Sequence, residues 1–120
     1  MKSAARLRSN LWLESDQGML LGMGRYMLLE RVHSLGSLKR AAWDLGMSYR
    51  AAWGKMKQSE EALGAPLIEK QGSNRTGYRL TPLGKLLMDG YKSCLDEVEA
   101  FALERLRSRL GWPIVPYVRR

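Results

Sequence analysis

Apolar residues recur along the 120-residue chain first at steps of two and then at steps of three and four, and each change of step marks an element. Leu11 and Leu13 alternate with Asn10, Trp12 and Glu14. The turn-forming run SDQG follows, and then Met19, Leu20 and Leu21, so residues 11–21 predict a β-hairpin. Over 24–35, Tyr26, Leu29, Val32 and His33 fall on one side of a helix. Gly36 ends that helix, because glycine readily takes the left-handed conformation of a helix C-terminus. Ser37 offers a capping hydroxyl to a second helix that turns Leu38, Ala41, Ala42 and Leu45 inward, and Gly46 stops it. Ser48 caps a third helix, predicted over 48–63 with Ala52, Met56 and Leu63 inward, which Gly64 and Pro66 close.

Two helices separated only by a glycine turn form a helix-turn-helix pattern. Ala41 and Ala42 are small where the helices must cross closely. An αα-hairpin without a ligand would show the same spacing, but the next stretch narrows the choice. PLIEKQGSNRTGYRLT predicts a strand at 67–71, a loop at 72–77 and a strand at 78–80, which is a wing after a recognition-type helix. Thr81 and Pro82 make a helix start, a capping hydroxyl with proline at the first helical position. The last helix is predicted over 82–110, about 45 Å long at the usual rise per residue. Leu83, Leu86, Leu87 and Tyr91 suffice to pack its first half on the winged domain. The outer half still carries Leu95, Val98, Phe101, Ala102, Leu106 and Leu110 at helical spacing, a stripe that predicts an antiparallel homodimer. The alternative is that the N-terminal hairpin folds back onto this stripe. The proline-broken tail at 111–120 is expected to dock on the partner or on the core.

Composition changes the picture in one direction. A net charge of +8 and a pI near 10.0 favour an acidic partner, most commonly nucleic acid. The single cysteine, Cys94, excludes an internal disulfide and a cysteine-pair zinc site. The apolar run after basic residues 1–8 is too short for a secretory segment, and no run approaches a bilayer span, so a cytoplasmic protein away from membranes is expected. No nucleophile–base pair, metal cluster or phosphate-cradling glycine loop is apparent, so no catalytic residue, metal or cofactor is expected. His33 has no second ligand nearby in sequence, and the methionines read as core or interface filler.

Double-stranded DNA is therefore the expected partner. The start of a second helix-turn-helix helix enters the major groove, which places Ser48, Tyr49, Arg50, Trp53 and Lys57 at the interface. Arg50 is the candidate base reader, since its planar fork matches guanine O6 and N7, although a phosphate contact alone fits it too. Trp53 is expected either on a thymine methyl or sugar or over the seam between the helices. Ser37, Lys39 and Arg40 sit at the start of the preceding helix, where backbone phosphates pass. Asn74 and Arg75 form the wing tip, with Arg79 and Lys55 adding to the field. Glu60 and Glu61 are expected to pair with Lys57 or to face water.

The run SLKRAAWDLGMSYRAAW, followed by LGAPLIEK and LTPLG, resembles the winged helix-turn-helix of LysR-type regulators. GMSYRAAW, with LWLE and LLGMGR ahead of it, resembles more closely that of the molybdate-responsive ModE regulators. The resemblance covers roughly 11–91. It implies a dimeric DNA-binding domain standing alone, without the oxyanion-binding domain of those regulators, and it lends no support to molybdate binding. Together these features predict an α+β, mainly α fold in one domain over 1–120: hairpin 11–21, helix-turn-helix and wing 24–80, long dimerisation helix 82–110 and tail 111–120. The expected function is sequence-specific regulation of transcription by a homodimer, with the wing on the backbone or minor groove. A sequence-tolerant architectural DNA binder and a protein–protein adaptor are the alternatives. An unidentified partner protein or small effector stays open as a source of control.

Overall fold

The caps and glycines read from the sequence act as expected in the computed structural model, which describes residues 3–73 and 75–118. Asn74 at the expected wing tip lies outside the described residues. In chain order the elements are β1 (Ala5–Leu7), β2 (Leu13–Ser15), β3 (Gly18–Leu21), α1 (Met23–Leu35), α2 (Leu38–Asp44), α3 (Tyr49–Leu63), β4 (Ile68–Lys70), β5 (Tyr78–Leu80), α4 (Pro82–Leu110) and β6 (Ile114–Pro116).

Strands β2 and β3 pair antiparallel as the N-terminal hairpin, with a register shift between Leu13 and Glu14. Leu11 lies outside the ladder; its carbonyl accepts a 2.7 Å hydrogen bond from the Tyr91 hydroxyl, which ties the hairpin to α4. Helix α1 buries Leu28, Leu29 and Val32 and ends at Gly36, whose φ of 68° suits glycine. His33, which the sequence left open between core and solvent, is exposed. The Ser37 hydroxyl accepts the Arg40 N–H at 3.1 Å, and the Ser48 hydroxyl accepts the Ala51 N–H at 3.0 Å, so each helix of the pair carries its predicted cap. Leu38, Ala41, Ala42, Ala52 and Met56 meet in the core between the two helices.

The wing is held from three directions. Strands β4 and β5 pair antiparallel, with Ile68 opposite Leu80. Tyr78 N–H donates to the Gly36 carbonyl and Leu38 N–H to that of Thr76, so the wing's root is stitched to the start of α2. Glu60, at the end of α3, is buried. Its carboxylate accepts the N–H groups of Leu67 at 2.7 Å and Ile68 at 3.3 Å while it pairs with Lys57 at 3.1 Å. Pairing with Lys57 is what the sequence suggested for Glu60; its hold on β4 was not foreseen. At the next junction the Thr81 hydroxyl donates to the Pro66 carbonyl and accepts the Gly84 N–H, capping α4. A Cβ at Gly84 would lie 2.2 Å from the Leu67 carbonyl oxygen, so only glycine lets α4 approach β4 this closely.

Helix α4 runs for 29 residues and gives the molecule its 55 Å long axis. Met88, Tyr91 and Leu95 pack into the core, and Tyr91 stacks on Tyr26 at 5.3 Å between ring centroids. Two expectations for this helix need correction. Leu95 is 2% exposed within the single chain and cannot belong to an outer stripe, whereas Leu86, expected to pack inward, is 67% exposed. The N-terminal hairpin does not cover the outer half. The chain ends do so in part: β1, which the sequence did not reveal, pairs parallel with β6, Ala5 opposite Ile114 and Leu7 opposite Pro116. Ile114 is buried, and its carbonyl accepts a 2.7 Å hydrogen bond from Arg107 Nε, so the tail docks on its own chain.

Candidate nucleic-acid interface

The interface is built where the N-terminus of α3, the first turn of α2 and the wing converge. Lys39, Tyr49, Arg75 and Thr76 surround one open hollow of about 520 Å3. A second, of about 730 Å3, continues from it between α2 and the start of α3; Lys39, Arg40, Trp43, Met47, Ser48 and Tyr49 are among its walls. Lys39, Arg40, Arg50 and Arg75 are exposed, and none of them is in an ion pair with a described residue. The leading N–H groups of α3 and the positive end of its helix dipole open on the same side. The arrangement offers fixed donors and mobile cations on one concave face, which is the chemistry a phosphodiester strand requires.

The expected contact residues separate into three groups. Lys39, Arg40, Ser48, Tyr49 and Arg75 line the concave side, and Arg50 is exposed next to Tyr49 in the first turn of α3. Ser48, although its oxygen caps the helix, keeps its hydroxyl proton free to donate. Tyr49 is half-buried; burial pushes its phenol up, and the neighbouring Tyr78, hydrogen-bonded to it, pushes further while Arg75 opposes them, so it stays a neutral donor through the physiological range. Trp53 and Lys57 form the second group. Trp53 is 44% exposed, and the Lys57 ammonium stands 5.4 Å from its ring centroid while also paired with Glu60. Lys57 thus serves packing before it serves a ligand.

The third group is corrected. Ser37 is 7% exposed, and its hydroxyl is engaged by the Arg40 N–H with Thr76 Oγ1 at 3.5 Å, so its place is structural. Arg79 is bound to Glu69 at 2.9 Å, which takes it out of the unpaired cations of the wing, and Lys55 is half-buried on α3. Trp43 is a residue the sequence reading missed. It is 87% exposed, one turn along α2 from Lys39 and Arg40 and on the same groove. The only signal for it was its spacing from those cations. Asp44 beside it is held by Arg31, whose guanidinium is shifted upward chiefly by its hydrogen bonds to Asp44 and Glu30. Among the described residues no group of three or more His, Cys, Asp or Glu could hold a metal ion, and no helix is long and apolar enough to cross a membrane.

A helix-turn-helix with a hairpin wing and cations gathered at the recognition helix defines a winged-helix DNA-binding domain. The chain belongs to the LysR family of bacterial regulatory helix-turn-helix proteins, whose profile matches residues 24–85. It is 32% identical over 111 residues to the molybdenum transport protein ModE of Azotobacter vinelandii, a match that covers 91% of this chain and 41% of that protein. It is 28% identical over 83 residues to the transcriptional regulator ModE of Haemophilus influenzae, covering 68% of this chain and 32% of that protein. Among solved structures, oxidised OxyR of Corynebacterium glutamicum superposes with a TM-score of 0.52 at 28% identity, covering 66% of this chain and 25% of that one. The chain thus spans less than half the length of these relatives, and what it shares with them is a LysR/ModE-type regulator's DNA-binding region.

Proposed function

We propose that the protein is a homodimeric, sequence-specific regulator that sets α3 in the major groove of duplex DNA and its wing on the adjoining backbone or minor groove. The observation that carries the proposal is the continuous concave face on which Lys39, Tyr49, Arg75 and the start of α3 meet. Arg50 reads a base edge, Lys39, Arg40 and Arg75 take phosphates, and Trp43 lies flat against a sugar beside them.

The dimer forms through the exposed side of α4. Leu86, Gly90, Cys94, Val98 and Phe101 are all exposed and share one side of the helix. They are arranged about Cys94 as a centre. An antiparallel partner on a two-fold axis there sets Leu86 level with Ala102 of the partner subunit and Val98 level with Gly90 of the partner subunit, large residues against small. Val98 and Phe101 keep the interface role predicted for them. Ala102 and Leu106 are half-buried and Leu110 is exposed, and these three flank the seam.

Selection of bound sequences from a random duplex pool, beside an Arg50→Ala variant, tests the proposal. Enrichment of an inverted repeat, with preference lost at one symmetric position in the variant, is the expected outcome. Binding without enrichment would make the protein an architectural DNA binder, and absence of binding would leave the adaptor reading.

A further inference from the structure

We infer that the end of the molecule where β1 and β6 meet the last turns of α4 is a second polyanion-binding surface, which takes the phosphate backbone of the same duplex. The inference rests on the reading of the chain as a duplex-binding homodimer and adds a surface that this reading does not use.

The distribution of charge carries it. Residues 1–10 and 101–120 hold eight of the 20 lysines and arginines but only one of the 12 acidic residues, Glu104, so seven of the net +8 charges lie in these two stretches. The body between them, recognition helix included, is close to neutral. Four of its 12 cations are in ion pairs with described residues, Arg31 with Asp44 and Glu30, Lys57 with Glu60, Arg79 with Glu69 and Lys92 with Asp96, and 11 acidic residues offset the charge of the 12. At the far end, Arg6, Arg8, Arg105, Arg107 and Arg109 are exposed, and none of them is in an ion pair with a described residue. The parallel ladder brings the two stretches together although they are about as distant in sequence as the chain allows, and it does so against the mutual repulsion of like charges.

Structural roles account for part of this cluster. Arg107 holds the Ile114 carbonyl, and Arg8 lies over the Tyr117 ring at 4.4 Å. Arg107 and Arg109 also complement the helix dipole, but that is worth about half a charge. Arg6, Arg105 and Arg109 remain. Leu7 faces α4, lining a hollow with Glu99, Ala100 and Leu103, so alternation along β1 turns Arg6 away from the helix. Arg105 and Arg109, one turn apart, lie on the side of α4 opposite that strand pair, and Arg105 is stacked near Phe101. Cations spread over both sides of this end suit a polyelectrolyte acting through its field better than an acidic protein that must fit one shaped patch. The proposed seam adds direction. In a pairing centred on Cys94, Arg105 comes level with Leu83 of the partner subunit, at the root of that subunit's wing, so the basic end stands beside a DNA-facing element.

The full chain and a triple variant, Arg6→Gln with Arg105→Gln and Arg109→Gln, are compared by titration of duplex DNA across a range of salt concentrations. Arg8 and Arg107 are retained because they also hold the fold. The slope of log K against log salt should become shallower in the variant by up to about 2.7, near 0.9 for each lost phosphate contact, with base preference unchanged. A charge-preserving variant with lysine at the same three positions should keep the full slope, which separates lost charge from disturbed folding. Coincident slopes for the full chain and the glutamine variant would overturn the inference; if that variant also lost binding to polyglutamate, the surface would be one for an acidic protein. Failure of the full chain to bind any duplex would instead sink the regulator reading, and this inference with it.

Discussion

In the proposed interface, single side chains divide into those that read bases and those that hold phosphates. Arg50, the proposed base reader, is exposed near the start of α3, and its loss should remove about 1–3 kcal/mol of discrimination at one position. Lys39→Ala and Arg40→Ala should weaken binding equally on all sequences and lower the salt slope by about 0.9 each; a titration on specific and random duplexes distinguishes the two behaviours. Trp43→Ala should reduce affinity without changing that slope, because an apolar ring releases no counterion. Inside the fold, Glu60 accepts two buried N–H groups at the root of the wing. Glu60→Ala leaves both without an acceptor and should cost on the order of 2–3 kcal/mol in denaturant unfolding.

At the scale of elements the junctions carry the architecture. α4 passes so close to β4 that Gly84 has no room for a methyl group, and Gly84→Ala should destabilise the protein by about 1–3 kcal/mol or displace the wing, measured by thermal melting and by DNA affinity together. The exposed side of α4 makes a different prediction. Val98→Glu with Phe101→Glu should yield a folded monomer by light scattering, and oxidation of the unaltered protein should cross-link Cys94 between two copies. An unchanged dimer with no cross-link would move the interface away from this seam.

For the whole molecule the informative feature is that residues 5–7 and 113–117 form one structure. Tyr117 N–H donates to the Leu7 carbonyl at 3.0 Å, and Ala5 N–H to that of Pro113 at 3.0 Å. Deleting residues 1–10 should leave the winged helix folded while the Tyr117 amide loses its protection in hydrogen exchange and the last turns of α4 fray. The same deletion removes three of the chain's 20 cations, Lys2, Arg6 and Arg8, so it should also reduce the salt slope if the basic end meets DNA. The near-neutral body and the charged far end are the features on which the proposed second contact with DNA rests.

What the sequence determined by itself was local: Ser37, Ser48 and Thr81 each cap a helix as their positions predicted, and glycines at 36, 46 and 64 stop helices where the period breaks. A cap or a left-handed residue acts within about four positions of itself, so its effect is legible from neighbours alone. Period also set which residues of α3 point outward, Tyr49 on the concave face among them. The tertiary structure decided the rest. It buried Leu95 and exposed Leu86, because both fit a helical stripe and only the packed core shows which stripe it covers. It turned Ser37 and Arg79 from ligand contacts into joints, and left Trp43 bare. It also paired Ala5 with Ile114, across nearly the whole chain, where two three-residue strands leave no signal until the closure of that long loop is offset by packing against α4.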